Sequence, residues 1–104
     1  MMKSIVTKYT EYCLFCGKPL EAEHHLLFGN GMRELADQDD VKVPACNRCH
    51  NMGPVLERIH DNPMAEKFSK MCGQLAFEKR KVAEGQTEDE ARETFRQRYG
   101  RSFL

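Results

Sequence analysis

The 104-residue chain has no tryptophan, no excess charge of either sign and no long apolar run, and each absence excludes something. Without a stretch of some 20 apolar residues there is no candidate membrane span, and an apolar fraction of 40% against 31% charged residues is that of a soluble globular chain. Lysine plus arginine and aspartate plus glutamate number 16 each, so nothing global attracts the chain to nucleic acid. Any such attraction must be local. The segment from Met1 to Lys8 runs into charged residues, with no apolar stretch and small-residue cleavage site after it, so no secretory signal is read and a reducing, cytoplasmic compartment is expected. Repeats, low-complexity segments and linkers are also missing, which argues for one domain over residues 1–104. At this size a hydrophobic core is close to too small to hold a fold unaided, and help from a metal is expected.

Cysteine, in contrast, is plentiful for a reducing compartment. Four of the five stand as two Cys-x-x-Cys pairs, Cys13 with Cys16 and Cys46 with Cys49. Four thiolates gripping from two tight turns match a structural zinc site, and they leave no coordination position open for chemistry. A redox role fits less well, because a thioredoxin-like pair comes singly and beside alternating strands and helices. The fifth, Cys72, lies on an apolar helical stripe and reads as a buried small hydrophobe.

Between and beyond the pairs the pattern is α+β. Ile5, Val6, Tyr9 and Tyr12 suggest a short strand or extended arm. Residues 20–28 alternate, with Ala22, His24, Leu26 and Phe28 on one face and Glu21, Glu23, His25 and Leu27 on the other, as in a strand. Met32 to Asp40 is polar and reads as a loop with at most a helical turn, Val41 to Ala45 as a second short strand, and Asn47 to Met52 as a short helix broken by Gly53 and Pro54. Strand, loop, strand and helix thus make a core of about residues 10–60. A helical part follows over about 63–104. Asn62 and Pro63 open its first helix, on which Met64, Phe68, Met71, Cys72, Leu75, Ala76, Lys79, Val82 and Ala83 recur at helical spacing up to Gly85. Thr87 to Glu90 is a capping box opening a last helix with Ala91, Phe95 and Tyr99 on one face, closed by Gly100; Phe103 and Leu104 can pack back on the body.

Since the thiolate site is closed, catalysis would need a second one, and histidine supplies the residue types. His24, His25 and His50 lie beside the knuckles, and a neutral imidazole can ligate a metal or accept a proton near neutral pH. Any one of them alone would read as a surface or satisfied core histidine. Three of the chain's four in this position point to function. His60 either joins them or merely precedes the helix, and both readings stay open. Lys18, Arg33, Lys42 and Arg48, with Arg58, surround the region as candidate nucleic-acid contacts, while acids gather at Asp37, Asp39, Asp40 and Glu88 to Glu90.

These residues carry a resemblance. Cys13 to Cys16, Glu23-His24-His25 and Val43 to His50 resemble the HNH nuclease family, whose core is a zinc-stapled ββα metal finger. The runs from His24 to Gly29, Cys49 to Pro54, Ile59 to Asn62 and Phe95 to Leu104 resemble, more narrowly, a phage and prophage branch related to the recombination-enhancement nucleases. The resemblance implies an endonuclease acting on DNA in a bacterial or phage-infected cell. It makes His25 the general base that deprotonates water, with His24 and His50 holding one catalytic divalent ion, magnesium, manganese or zinc, and a recombination protein or a second copy as candidate partner. One departure stands out: the asparagine usual before the second cysteine pair is absent, and Asp40 lies about where it would be, as a candidate to orient the base or bind metal. A zinc-ribbon module binding nucleic acid or protein without catalysis is the alternative; it has the same fold but leaves the three histidines unexplained.

Overall fold

In a computed structural model, which describes residues 2–104, the chain is α+β: a two-stranded antiparallel sheet with helices. Strand β1 is Ala22–His25, helix α1 is Met32–Gln38 and strand β2 is Lys42–Ala45. A π-wound turn over Arg48–Met52 and a 3-10 turn over Val55–Glu57 lead to the long helix α2, Pro63–Ala83, and to α3, Glu88–Tyr99. Ala22 pairs with Ala45, Glu23 with Pro44, His24 with Val43 and His25 with Lys42. The amino-terminal residues form an arm, not a strand. Ser4 Oγ donates to the Lys42 carbonyl at 2.6 Å, the Ile5 amide to that of Asp40 at 2.9 Å, and the one bridge of the arm joins Tyr12 to Pro19.

Three expectations are corrected. Residues 32–38 are a helix, not a loop: Met32 and Ala36 lie one turn apart and both are buried, so a polar segment still presents an apolar edge to the core. Gly31 at φ 83° starts that helix and Asp40 at φ 58° follows its end. The turn after Cys46 is π-wound, closed by the Gly53 amide on the Arg48 carbonyl at 3.0 Å. The third correction concerns α2. Its apolar stripe is exposed, with Met64 at 65%, Phe68 at 54% and Leu75 at 53%, and Cys72 on that stripe is exposed rather than buried.

The buried face of α2 is Ser69, Gly73, Gln74, Phe77 and Glu78. Its polar members face inward because each is answered. Gln74 donates to Glu78 at 2.7 Å and to Ser102 at 2.9 Å, and accepts from the Phe103 amide at 2.6 Å, while Arg92 pairs with Glu78 at 3.0 Å. Phe103 thereby packs against the core, whereas Leu104 stays 40% exposed. The two helix starts are as the sequence predicts: Asn62 accepts from the Ala65 amide, and Thr87 and Glu90 form a reciprocal box. Leu26, Leu27, Val41 and Val43 pack with Met32, Phe77, Phe95 and Tyr99 into the main core.

Gly73 sets how near α2 comes to the chain leaving β1. A Cβ there would stand 2.9 Å from Leu27 Cγ and 3.0 Å from Leu26 Cβ, and Leu27 is fully buried and cannot yield. Gly73→Ala is expected to destabilise the fold by about 1–2 kcal/mol, overpacking outweighing the gain in helix propensity of up to about 1 kcal/mol. Urea denaturation would check it; a stabilised variant would show that the helix can slide outward freely.

Candidate metal centres

Cys13 and Cys16 sit on a turn closed by the Gly17 amide on the Cys13 carbonyl at 2.9 Å, and the Leu14 amide ties that turn to the Pro44 carbonyl of β2 at 3.0 Å. Cys46 directly follows β2, and the π-wound turn brings Cys49 back beside it. All four sulfurs lie within 4.8 Å of one another, with Cys16 and Cys46 at 3.5 Å. Zinc bonds of about 2.3 Å to tetrahedral sulfurs put those sulfurs about 3.8 Å apart, so the cluster is consistent with a structural zinc. The Cys49 amide, first among several hydrogen bonds, draws the Cys46 thiol down to about 7. Burial and the neighbouring sulfurs push Cys49 up to about 12. Without a cation the four cannot all ionise, and a dication reverses that.

A second group contains histidine alone. Ring nitrogens of His24, His50 and His60 lie within 4.8 Å of one another. His24 comes from β1, and His50 follows Cys49 in the π-wound turn. His60 is laced to that turn by the Ile59 amide on the Cys49 carbonyl at 2.9 Å and by its own amide on the His50 carbonyl at 3.0 Å. Arg58 secures the same loop, donating to the carbonyls of Gly53 and His60 and to Asp61. His50 Nε2 and His60 Nε2 face each other at 3.1 Å, near the roughly 3.3 Å that separates two nitrogens on one tetrahedral zinc. His24 is fully buried, and its Nδ1 is the buried side-chain nitrogen left without a partner among the described residues. Burial first, then His50, His60 and His25, lower its pKa to about 3, so the ring is neutral and able to ligate. Burial likewise lowers His50. Three imidazoles with no carboxylate among them suit zinc and related transition ions better than magnesium.

His25, the next residue on β1, faces the other way. Its Nε2 donates to Asp37 Oδ1 on α1 at 2.9 Å, and the buried Lys42 reaches the same oxygen at 2.9 Å and Glu23 at 3.1 Å. The bonds from His25 and Lys42 hold the Asp37 carboxyl down at about 2. Glu23, His25 and Asp37 could also meet a metal by distance, but the Lys42 ammonium already supplies a cation to both carboxylates. The ring lies at the floor of an open concavity of about 560 Å³, bordered by Arg33, Glu34 and Gln38.

The structure therefore brings His24, His50 and His60 together and sets His25 apart with Asp37. Asp40 is in neither group: its backbone closes the turn after α1, and its carbonyl holds the arm through Ile5. In the sequence Asp37 reads only as one of a cluster of acids, yet a helical reading of 32–38 would have set Arg33 and Asp37 one turn apart. Of the four basic candidates, Arg33 borders the concavity and Lys18 is exposed, whereas Lys42 is buried between acids and Arg48 is paired with Glu57 at 2.7 Å. No helix is long and apolar enough to cross a membrane among the described residues. Comparison with protein-family models, with curated proteins and with solved structures finds no match.

Proposed function

We propose that the chain is a metal-dependent endonuclease hydrolysing phosphodiester bonds of DNA, of the HNH kind that its motifs resemble, with a zinc-stapled ββα finger as its core. The observation that carries this reading is the division of the adjacent pair on β1. His24 turns to His50 and His60, and His25 turns to an open concavity beside Asp37. A metal site and a proton acceptor are thus one residue apart.

In this reading a water in the concavity loses a proton to His25 as its oxygen bonds to phosphorus. The bond from phosphorus to the 3′ oxygen then breaks, and that oxygen takes a proton from solvent. Because Nε2 of His25 is committed to Asp37, Nδ1 is the atom that accepts, and the carboxylate steadies the imidazolium formed. A divalent ion at the three histidines would supply positive charge to the phosphorane and the departing oxygen. Arg33, which borders the concavity, is the side chain best placed to meet phosphate. With no net charge on the chain, a recombination protein or a second copy is the natural source of further positive surface.

The test is cleavage of plasmid and single-stranded DNA by the zinc-loaded protein with added zinc, manganese or magnesium. Nicking that requires the added ion is expected, and His50→Ala is expected to remove it while the thiolate zinc stays. A wild type that binds an ion at the histidines yet cuts nothing would sink the reading. The alternative, a non-catalytic module binding protein or nucleic acid, is favoured by one observation, an apolar groove of about 520 Å³ that includes the exposed Leu14, Phe15, Leu56 and Phe68.

A further inference from the structure

Ser69 lies on the buried face of α2, one turn before Gly73. Its hydroxyl oxygen is 2.9 Å from the carbonyl oxygen of Leu26 and 2.8 Å from Nε2 of His24. A hydroxyl has a single hydrogen, and a carbonyl can only accept. If that hydrogen pointed to the histidine, two oxygens would confront each other at 2.9 Å with no hydrogen between them. The hydrogen therefore goes to Leu26, the hydroxyl lone pairs face the ring, and Nε2 of His24 must bear the hydrogen that completes the pair.

A neutral imidazole carries one N–H, so this leaves Nδ1 of His24 as a bare lone pair. That is the atom that the fold buries without a partner, on a ring whose edge meets those of His50 and His60 with centroids 5.2 Å away in each case. We infer that Ser69 is a positioning residue that fixes His24 in the Nε2–H tautomer and so presents Nδ1 as a metal-ligating atom. The inference rests on the three-histidine metal reading above. It assigns α2, which lies outside the strands and turns that carry the ligands, a part in building the site. Gly73 makes that part possible, since the close approach to Leu26 and Leu27 that it permits is what brings Ser69 within reach of both partners.

The consequence is specific. An outer partner that orients a ligating histidine is typically worth 10- to 100-fold in metal affinity. Ser69→Ala removes the acceptor, so the ring loses its reason to keep hydrogen on Nε2, and Ser69→Thr keeps it.

The experiment uses 15N-labelled protein with zinc at the four thiolates and the histidine site stripped by a mild chelator. Long-range proton–nitrogen correlation reads the His24 tautomer, and titration with cobalt(II) follows the absorption of nitrogen-bound metal. The wild type is expected to show protonated Nε2 and bare Nδ1. Ser69→Ala is expected to lose that preference and bind cobalt 10- to 100-fold more weakly, and Ser69→Thr to stay near the wild type. A wild type protonated at Nδ1, or a Ser69→Ala protein with unchanged tautomer and affinity, overturns the inference. Should Ser69→Ala not fold, the wild-type tautomer decides, Nε2–H supporting and Nδ1–H overturning. If the wild type takes up no cobalt at the histidines, the metal reading fails and takes the ligand role of Nδ1 with it. If cobalt binds equally to wild type and Ser69→Ala, the metal reading stands and Ser69 is dismissed.

Discussion

Cys46→Ser is expected to leave the protein without its thiolate zinc and without a cooperative melting transition. Cys46 is 1% exposed at the junction where β2 hands over to the π-wound turn, so both its neighbours depend on where it is held. The packing around it offers little else. That second core consists of Cys13, Ala45, Cys46 and Cys49, three sulfurs and a methyl group, so a zinc at the thiolates is expected to supply most of its cohesion. Structural zinc in small modules contributes about 10–16 kcal/mol, as large as the whole stability of a typical domain, about 5–15 kcal/mol. The same centre is acid-sensitive, because every ligand that releases the ion takes up a proton. Zinc affinity therefore falls as pH falls. Metal content by mass spectrometry alongside a thermal melt checks both statements; a serine variant that keeps one zinc and the wild-type transition would show that three thiolates suffice.

His25→Ala has the largest expected effect on activity, a loss of about 10²–10⁴-fold in nicking rate, the usual worth of a positioned general base. Its structural effect should be modest. Asp37 keeps Lys42 as a partner at 2.9 Å and Lys42 keeps Glu23 at 3.1 Å, so removing the ring leaves no buried charge unpaired. Thiolate zinc and cobalt uptake at the other three histidines should both survive, which separates this variant from His50→Ala. Equal cutting by wild type and His25→Ala would point to a contaminating nuclease or a wrong base, and the assignment would be withdrawn.

What could be read in the sequence was whatever depends on neighbours along the chain. The two Cys-x-x-Cys pairs declare themselves because each is one turn, and Asn62-Pro63 and Thr87 to Glu90 because a cap is decided within four residues. The alternation around His24 and His25 placed the two rings on opposite faces correctly. The misreadings were of distance and of partners. Helix α1 was hidden by its polarity, since two buried residues were enough to anchor seven, and with it the place of Asp37 beside His25. The inward face of α2 was misjudged because an apolar stripe is the usual core signal, while here Gln74 and Glu78 are answered by Arg92, Ser102 and the Phe103 amide from far along the chain. His60 could not be placed beforehand, because two backbone hydrogen bonds to Cys49 and His50 bring it in, and backbone atoms leave no mark in a sequence.

Those two hydrogen bonds have a further meaning. Cys49 belongs to the sulfur group and His50, the next residue, to the nitrogen group, and the same short turn carries Ile59 and His60 on its carbonyls. The two centres thus share a hinge pin one peptide bond long. An ion at the thiolates fixes that turn and so sets two of the three nitrogens, whereas an ion at the histidines gives the sulfurs only one of their two pairs. In the proposed reading loading has a direction, the thiolate centre first and the histidine centre second, and a protein deprived of zinc is expected to lack an assembled second site rather than merely to work more slowly.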